Sequence, residues 1–392
     1  MRILQIAPSF PDLQAGGTEL CARSLNLALN RRKNTQSHLL ACVPAWQLPA
    51  APGTAFLSPT GRAHETGIAV AHFDQFYLSQ PDSFGVLDAF RSFLVDYAPD
   101  EVHFHHLLYL GVEGVAIARR ALPKARLRMT LHDYYPICPQ DGVMTDKADG
   151  TPDLRTDRVS ARRRYGGAVG LDKFALREAT IKQAFGLIDE FVAPSRFLRD
   201  RYVDWGLPAA KIVHRPNALP EGWAEIAPLP ARPRAEGMPV VFGFFGNVMP
   251  HKGVHLLLEA ALLLKETGET GFRIAVYGGD RHAPEAYRTR LDGLAKQLGP
   301  LCTRFGAYRP EELYRLLADV DDVVVPSVWW ENDPLIVRQA AAAGRPVLYA
   351  DLGGLAEAGA QSGGLPFAAR NPAALADLMR LRLRAVSAAA AA

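Results

Sequence analysis

The sequence predicts an α/β protein made of two doubly wound, Rossmann-like halves. Three observations predict it. The chain opens on a strand pattern, Arg2-Ile3-Leu4-Gln5-Ile6-Ala7, followed by a glycine turn and a helix pattern. A proline-rich stretch, Leu219–Pro239, interrupts the middle, and an apolar strand pattern, Val240–Phe245, restarts directly after it. Finally, Asp321–Gly354 reads strand, polar turn, helix, strand, which is the repeating unit of a parallel sheet.

Composition bounds the function. With 392 residues the chain has room for two ordinary domains. A hydrophobic share of 48% and a charged share of 22% exclude a disordered chain. A net charge of +3 leaves no electrostatic footprint for nucleic acid. Cys21, Cys42, Cys138 and Cys302 are scattered, with no CxxC pair. That argues against a zinc cluster or disulfide framework and fits a reducing compartment. No apolar run reaches the ~18–20 residues of a membrane span. The chain begins in a strand, so no signal peptide is expected and the expected location is cytoplasmic. The low-complexity tail, AVSAAAAA, is assigned no function.

In the first half, Gly16-Gly17-Thr18 opens a helix whose apolar residues are Leu20, Leu25, Leu27 and Leu29. Glycines at such a turn let backbone N–H groups approach a phosphate closely. His38–Val43 reads as a strand, residues 44–66 as a loop or hairpin, and Phe84–Tyr97 as a helix. The next strand, Asp100–His106, ends in His103, His105 and His106. With no acidic cluster beside them, these are not read as a metal site. Arg126–Leu131 is a strand that runs into His132-Asp133, at the edge where open α/β sheets place their chemistry. Gln140–Asp172 is too polar to be core, and its Arg162-Arg163-Arg164 run is read as surface or as a mobile contact for a phosphorylated lipid or membrane face. A helix over Leu176–Ile188, a strand ending at Ser195 and a helix to Trp205 complete this half.

In the second half, Val240–Phe245 leads into Gly246-Asn247-Val248-Met249-Pro250-His251-Lys252-Gly253 and a helix carrying Val254, Leu256, Leu257 and Leu258. Lys252 is a point charge at a helix start, suited to a diphosphate. Strands follow at Arg273–Tyr277 and Cys302–Tyr308, and a helix at Glu311–Ala318. In the last unit, Val323–Val325 and Pro346–Tyr349 are strands and Leu335–Ala343 a helix, with Pro334 at its first position and Gly344 after its end. The N–H groups of Leu335 and Ile336 form an anion seat. Glu331 at its mouth would repel a phosphate, so it is expected to face sugar hydroxyls.

This last stretch resembles the donor-site segment of glycosyltransferase family 4, retaining enzymes of the two-domain GT-B fold. The pattern is carried by Pro326-Ser327, Glu331, Gly344-Arg345-Pro346-Val347 and Gly353-Gly354. His132-Asp133-Tyr134 with Cys138-Pro139 resembles the family's HDY segment, and Gly246…Lys252-Gly253 its Gly-Arg…Lys-Gly motif. Two positions depart. The family's second glutamate is Gln339 here, and its usual arginine is Asn247.

The resemblance implies a domain plan: an acceptor-side domain over residues 1–219, a linker over 220–239, a nucleotide-sugar domain over 240–372 and a C-terminal helix or tail over 373–392, with a cleft between the two domains. The family's closing helix looks shortened. The resemblance also implies roles. A nucleotide sugar such as a UDP-, GDP- or dTDP-sugar meets Gly16, Gly17, Thr18, Asn247, Lys252, Asn332, Asp333, Leu335, Ile336 and Gln339. His132 and Glu331 are the catalytic pair, and His105 and Asp133 lie on the acceptor side. The acceptor is a saccharide or lipid-linked saccharide in bacterial surface glycan synthesis, with peripheral membrane contact. No cofactor and no metal are implied, and no Asp-x-Asp pair is read as a metal site. Gln339 keeps the shape of glutamate and an acceptor oxygen but loses the charge.

Two alternatives stand beside this reading. One is a nucleotide-sugar 2-epimerase of the same architecture, and the other a non-catalytic sugar-nucleotide-binding relative. A dehydrogenase is disfavoured because no GxGxxG follows the first strand.

Overall fold

The computed structural model describes residues 1–14, 16–49, 52–81, 85–140, 142–147, 149–220, 222–223, 225–230, 232 and 238–391. The chain divides into two compact units, Met1–Glu221 and Gly222–Ala392.

The first unit runs β1 (Arg2–Ala7), α1 (Gly17–Asn30), β2 (Gln36–Pro44), β3 (Phe56–Leu57), β4 (Glu65–Val70), α2 (Val86–Tyr97), β5 (Glu101–Phe104), α3 (Gly111–Ala121), β6 (Arg126–Thr130), α4 (Arg158–Arg164), α5 (Leu171–Gly186), β7 (Glu190–Ala193), α6 (Arg196–Asp204) and β8 (Ile212–His214). These strands form one sheet in the order β3-β4-β2-β1-β5-β6-β7-β8. Every pair is parallel except β3–β4. The chain winds outward from β1 to one side, then returns to β5 and winds to the other. The switch point lies between β1 and β5, where such sheets open a crevice at the strands' C-terminal ends.

The second unit runs β9 (Val240–Phe245), α7 (Val254–Glu266), β10 (Phe272–Tyr277), α8 (Glu285–Leu298), β11 (Cys302–Gly306), α9 (Leu313–Leu317), β12 (Asp322–Val325), α10 (Leu335–Ala342), β13 (Val347–Ala350), α11 (Gly353–Gln361), β14 (Leu365–Phe367) and α12 (Pro372–Ala391). Its parallel sheet has the order β11-β10-β9-β12-β13-β14, with the switch between β9 and β12. Apolar strand runs such as Val323-Val324-Val325 are buried because helices cover both faces of a parallel sheet.

Several elements differ from the sequence reading. Helix α1 turns Cys21, Ala22, Ser24, Asn26 and Leu29 inward, while Leu20, Leu25 and Leu27 are only half-buried. Its polar residues are used: Asn30 Oδ1 accepts from the Ser37 N–H at 2.8 Å and so fixes the start of β2. Phe84, expected to begin α2, lies outside the described residues. Pro334 sits one place before α10, as its N-cap.

Of the arginine run, Arg163 is exposed and pairs with Asp153 at 2.7 Å, while the other two turn inward to different degrees. Arg164 is fully buried and donates to the Arg155 carbonyl at 2.7 Å, with Asp153 at 3.1 Å. Arg162 donates to the carbonyls of Val169 and Gly167. In a loop with few ladder bonds of its own, guanidinium donors satisfy backbone oxygens that would otherwise be buried bare.

Part of Leu219–Pro239 (residues 221, 224, 231 and 233–237) lies outside the described residues. The described part is anchored on the second unit, where the Leu229 N–H donates to Ala343 O at 3.0 Å and Arg345 Nη1 to Pro230 O at 2.9 Å.

The last helix, α12, lies on the second unit. α12 packs on α7 and sends Arg382 Nη2 to within 2.8 Å of Asp322 Oδ1, a carboxylate with no solvent exposure. Removing one partner of a buried pair leaves a charge without compensation. Arg382→Met is therefore expected to lower the stability of the second unit by about 3 kcal/mol. Urea unfolding followed at a second-unit tryptophan reads this out, and an unchanged midpoint would show the pair to be dispensable.

Candidate active site

Each unit carries a polar cluster at the C-terminal ends of its strands, at its own switch point. In the second unit the cluster is built by three loops: Gly246–Gly253 after β9, Pro326–Pro334 after β12, and the entry to α11. They are held backbone to backbone. The Val328 N–H donates to His251 O at 2.9 Å, and the Gly354 N–H to Glu331 O at 2.8 Å. Two glycines permit this. A Cβ on Gly253, whose φ is +73°, would lie 1.9 Å from the Pro326 carbonyl oxygen, and one on Gly354 would lie 1.8 Å from that of Asn332. The Gly353-Gly354 pair in the sequence is thus the seat on which the Glu331-Asn332 turn rests.

Glu331 is buried, at 5% exposure. Its Oε1 accepts from Lys252 Nζ at 2.6 Å and from Ser327 Oγ at 2.8 Å. Burial pushes its carboxyl up, but the Lys252 ammonium, together with hydrogen bonds from Lys252, Ser327 and Trp329, outweighs it and holds the pKa below the ordinary value. The Lys252 ammonium also lies 5.3 Å from the centre of the Trp329 ring, a cation–π contact, and keeps 28% side-chain exposure. Carboxylate and ammonium are thus in direct contact.

Leu335 and Ile336 open α10, whose N-terminus carries no side-chain cap. Asp333 is buried and 3.6 Å from Arg338 in the same helix, and Asn332 and Gln339 are buried beside this turn. Asn247 is exposed, on the loop after β9.

An Asp-x-Asp spacing occurs at Asp319-Val320-Asp321. It precedes β12, at the opposite end of the strand from Glu331. There Asp321 Oδ2 accepts from the Val241 N–H at 2.7 Å and pairs with Arg232 at 3.2 Å. Among the described residues, no group of three or more His, Cys, Asp or Glu is placed to hold a metal ion.

In the first unit the cluster follows β5 and β6. His105 Nδ1 is 3.1 Å from His132 Nε2, and His105 Nε2 is 2.9 Å from Gln5 Oε1. His106 Nε2 donates to Asp133 Oδ2 at 3.0 Å, while its Nδ1 accepts from the Leu108 N–H at 2.9 Å. A small cavity is lined by His105, His106, His132, Asp133 and Tyr202. The histidines thus bond to Gln5, Thr130, Asp133 and one another rather than standing as three separate ligands.

The loop after His132 is clamped by Arg177. Its guanidinium donates to the carbonyls of Tyr135 and Pro136 at 2.5 Å and of Phe76 at 2.6 Å. Burial pushes that guanidinium down to about 10, still charged at neutral pH. Tyr202 adds a hydroxyl donor to the Asp133 carbonyl at 2.8 Å.

At the other side of the β1–β5 switch, Gly16 is the N-cap of α1 and Gly17 its first residue. A Cβ on Gly17 would meet nothing within 4 Å, which leaves the backbone there open to approach. Thr18 is half-buried in the first turn. A Cβ on Gly16 would lie 2.3 Å from Glu19 Oε2, so the first glycine makes room for a carboxylate. Burial pushes the Glu19 carboxyl up to about 7.

Sequence reasoning did not single out Gln5, Glu19 or Arg177, and it gave Ser327 only as part of the Pro326-Ser327 motif. Only Gln5 carried a visible signal, as a polar residue in an otherwise apolar strand. The others are found by their partners, which are distant in sequence or depend on helix phase.

Two doubly wound units of this kind define the GT-B class of glycosyltransferase folds. Among solved structures, sucrose-phosphate synthase from Thermosynechococcus elongatus is similar over 99% of this chain and 91% of its own, with a TM-score of 0.71 and 17% identity. Anabaena HepE in complex with UDP and glucose is similar over 96% and 88%, with a TM-score of 0.61 and 16% identity.

Residues 15–221 match the family described as Glycosyltransferase Family 4, and residues 239–384 match Glycosyl transferases group 1. The first match spans more than half of the chain, and the chain belongs to glycosyltransferase family 4. Among curated proteins, the lipopolysaccharide 1,2-N-acetylglucosaminetransferase of Salmonella typhimurium is 29% identical over 175 residues, 43% of this chain and 45% of that protein. The D-inositol 3-phosphate glycosyltransferase of Corynebacterium urealyticum is 35% identical over 153 residues, 37% of this chain and 36% of that protein. The similarity spans less than half the length of either relative.

Two predictions follow from the electrostatics. Because Lys252 depresses the Glu331 pKa, that group contributes stability above its ordinary value of 4.5 and loses it as pH falls through the folded value. Lys252→Met is expected to cost about 3 kcal/mol at pH 7. The gap from the parent protein should narrow below about pH 4.5, and a gap independent of pH would show that Glu331 is not the group responsible.

The second concerns His103, His105 and His132. Burial, first among the causes, drives all three well below the usual histidine range, so the unfolded chain binds their protons more readily. Stability should therefore fall as pH drops below about 6.5, with each histidine adding up to about 1.4 kcal/mol per pH unit. Urea midpoints of the parent and of His103→Asn between pH 7 and 5 should show the smaller slope in the variant.

Proposed function

We propose that the chain is a retaining glycosyltransferase that moves a sugar from a nucleotide-diphosphate sugar to a hydroxyl of a saccharide or lipid-linked saccharide. The observation that carries this reading is the Lys252–Glu331 contact beside the uncapped N-terminus of α10. Lys252 and the N–H groups of Leu335 and Ile336 receive the diphosphate, an anion that a lysine and a helix N-terminus both stabilise. Glu331, released from part of its bond to Lys252, accepts from hydroxyls of the sugar. Asn332, Asp333 and Gln339 shape that pocket and the ribose side, and Asn247 offers the diphosphate a neutral donor. Gly16, Gly17 and Thr18 are assigned to donor binding by the family resemblance. Support also comes from similar structures, where HepE was solved with UDP and glucose and a starch synthase IV from Arabidopsis thaliana with ADP and acarbose.

The reaction breaks the bond from the anomeric carbon to the diphosphate oxygen and forms one from that carbon to the acceptor oxygen. The acceptor attacks from the face the diphosphate leaves, so its proton is within reach of the departing phosphate oxygen. The barrier falls because Lys252 and the α10 amides are already placed to meet the leaving charge. This route calls for neither metal nor cofactor. By the family resemblance His132 is assigned as a catalytic residue, and His105 and Asp133 to the acceptor side. The name of the lipopolysaccharide-modifying relative favours a bacterial surface glycan as product, and a lipid-linked acceptor would place the enzyme peripherally at the inner face of a membrane.

A thermal-shift panel of UDP-, GDP- and dTDP-sugars, followed by product analysis by NMR, tests this reading. One nucleotide sugar should stabilise the protein and yield a product of unchanged anomeric configuration. Glu331→Ala should lower kcat by about 100-fold or more while the protein stays folded. An inverted product, or conversion of the sugar nucleotide without acceptor, would overturn it.

A further inference from the structure

Two bulky residues of the first unit hold left-handed backbone, Leu78 with φ +52° and Tyr109 with φ +71°. Side chains of that size strain against their own backbone there, and the conformation persists only where the surroundings over-determine it. They do so here. Leu78 O accepts from the Val112 N–H at 2.9 Å. Gln80 Nε2 donates to the Tyr109 carbonyl at 2.7 Å, and Glu113 accepts from Ser79 Oγ at 2.6 Å and from the Gln80 N–H at 2.9 Å. A Cβ on Gly111, whose φ is +79°, would lie 2.7 Å from the Gln80 nitrogen. The loop that ends at Gln80 thus rests directly on the entry to α3.

What these bonds hold in place is one edge of the crevice. Leu78 lines the cavity shared by His105, His106, His132 and Asp133. The half-buried Tyr109 ring meets the half-buried Phe73 ring edge to face, with centres 5.7 Å apart. The Tyr109 hydroxyl makes no hydrogen bond among the described residues, and burial, then Cys42 and Glu19 beside it, push it above the ordinary tyrosine value. Glu19 also feels the charges of His106 and Asp133, which puts Tyr109 on the same crevice as that pair. Asp133 keeps 26% side-chain exposure. Burial pushes its carboxyl up, but His106 and the Tyr135 N–H outweigh this and hold it below the ordinary value.

Two aromatic rings, a phenol and an ionised carboxylate fit one class of ligand. A pyranose has apolar C–H faces that lie on aromatic rings, and a rim of hydroxyls that a phenol and a carboxylate bind. A phosphate would meet Asp133 as a like charge, and a purely apolar ligand would leave the polar groups without partners.

We propose that Tyr109 and Phe73 form a platform for a pyranose ring of the acceptor, with the Tyr109 hydroxyl and the Asp133 carboxylate bonding its hydroxyls. That the sugar is an acceptor rests on the function proposed above; the sugar subsite itself does not, and it lies wholly within the first unit. The left-handed backbone at Tyr109 sets the direction of its ring, and the bonds from Gln80 and Glu113 hold it there.

The test uses the full chain without donor, titrated with the methyl pyranosides of glucose, galactose, mannose and N-acetylglucosamine. Ring-13C tyrosine NMR reports the site, with the Tyr109 signal assigned by its loss in Tyr109→Gly, and saturation-transfer NMR gives the dissociation constants. At least one pyranoside should shift the Tyr109 signal, and its dissociation constant should rise about tenfold in Tyr109→Gly and in Phe73→Leu. Glycine accepts the left-handed conformation without strain, so Tyr109→Gly is expected to fold. If it does not, Phe73→Leu decides by the same criterion.

A Tyr109 signal unmoved by all four pyranosides, or a dissociation constant unchanged in Tyr109→Gly, would overturn the proposal. If a pyranoside binds at Tyr109 but no nucleotide sugar serves as donor, the subsite stands and the transferase reading fails. If transfer occurs and the acceptor KM of Tyr109→Gly equals the parent's, the transferase reading stands and the subsite fails.

Discussion

A carboxylate that stays ionised while nearly sealed from water is the constraint on which the second unit's site depends. Taking Glu331 out of water costs several kcal/mol unless a cation and hydrogen-bond donors meet it. Lys252 and Ser327 do so at 2.6 and 2.8 Å. These distances require the loop after β9 to lie directly on the loop after β12. Backbones approach that closely only where no Cβ intervenes, which is the role of Gly253 and, on the far side of the turn, Gly354. Charge, loop contact and glycine position form one linked requirement. Trp329, beneath the ammonium, keeps Lys252 near the carboxylate while part of its surface remains open.

The first unit meets a similar problem differently. Its buried polar groups are mostly neutral, and they satisfy one another in sequence rather than by charge pairing. Gln5, His105 and His132 form one chain of bonds, and His103 is held by the Thr130 hydroxyl at 2.8 Å. The seam is not fully satisfied: Gln5 Nε2 and His103 Nδ1 are buried without a hydrogen-bond partner among the described residues. Arg177, like Arg164, brings a charge into this interior. Each of its three guanidinium nitrogens donates to a backbone carbonyl, and it fixes the Tyr135-Pro136 segment that follows the seam.

The strands and most helices were legible because their signals are local. Arg2–Ala7 and Val240–Phe245 are apolar runs with turn residues at their ends, and the structure gives strands with those bounds. The Lys252 and Glu331 positions were legible through spacing against glycines and prolines. What spacing could not show was that the two touch, 79 positions apart in the chain. Arg164 was misread for the same reason. Arginine is usually solvated, and only a fold that leaves nearby carbonyls bare draws its guanidinium inward. Asp319-Val320-Asp321 gave the opposite lesson, a motif-like spacing that the topology sends to the wrong end of its strand.

The order of apolar runs, turns and glycines determined the two parallel sheets, because side-chain periodicity and backbone conformation are properties of neighbouring residues. Tertiary structure alone decided the states of the functional groups. A pKa depends on which charges and dipoles come within a few ångströms in a dry interior. A tautomer depends on which atom faces the other ring nitrogen. Glu331 is anionic because β9 and β12 are neighbours, and His105 meets both Gln5 and His132 because β1, β5 and β6 lie side by side.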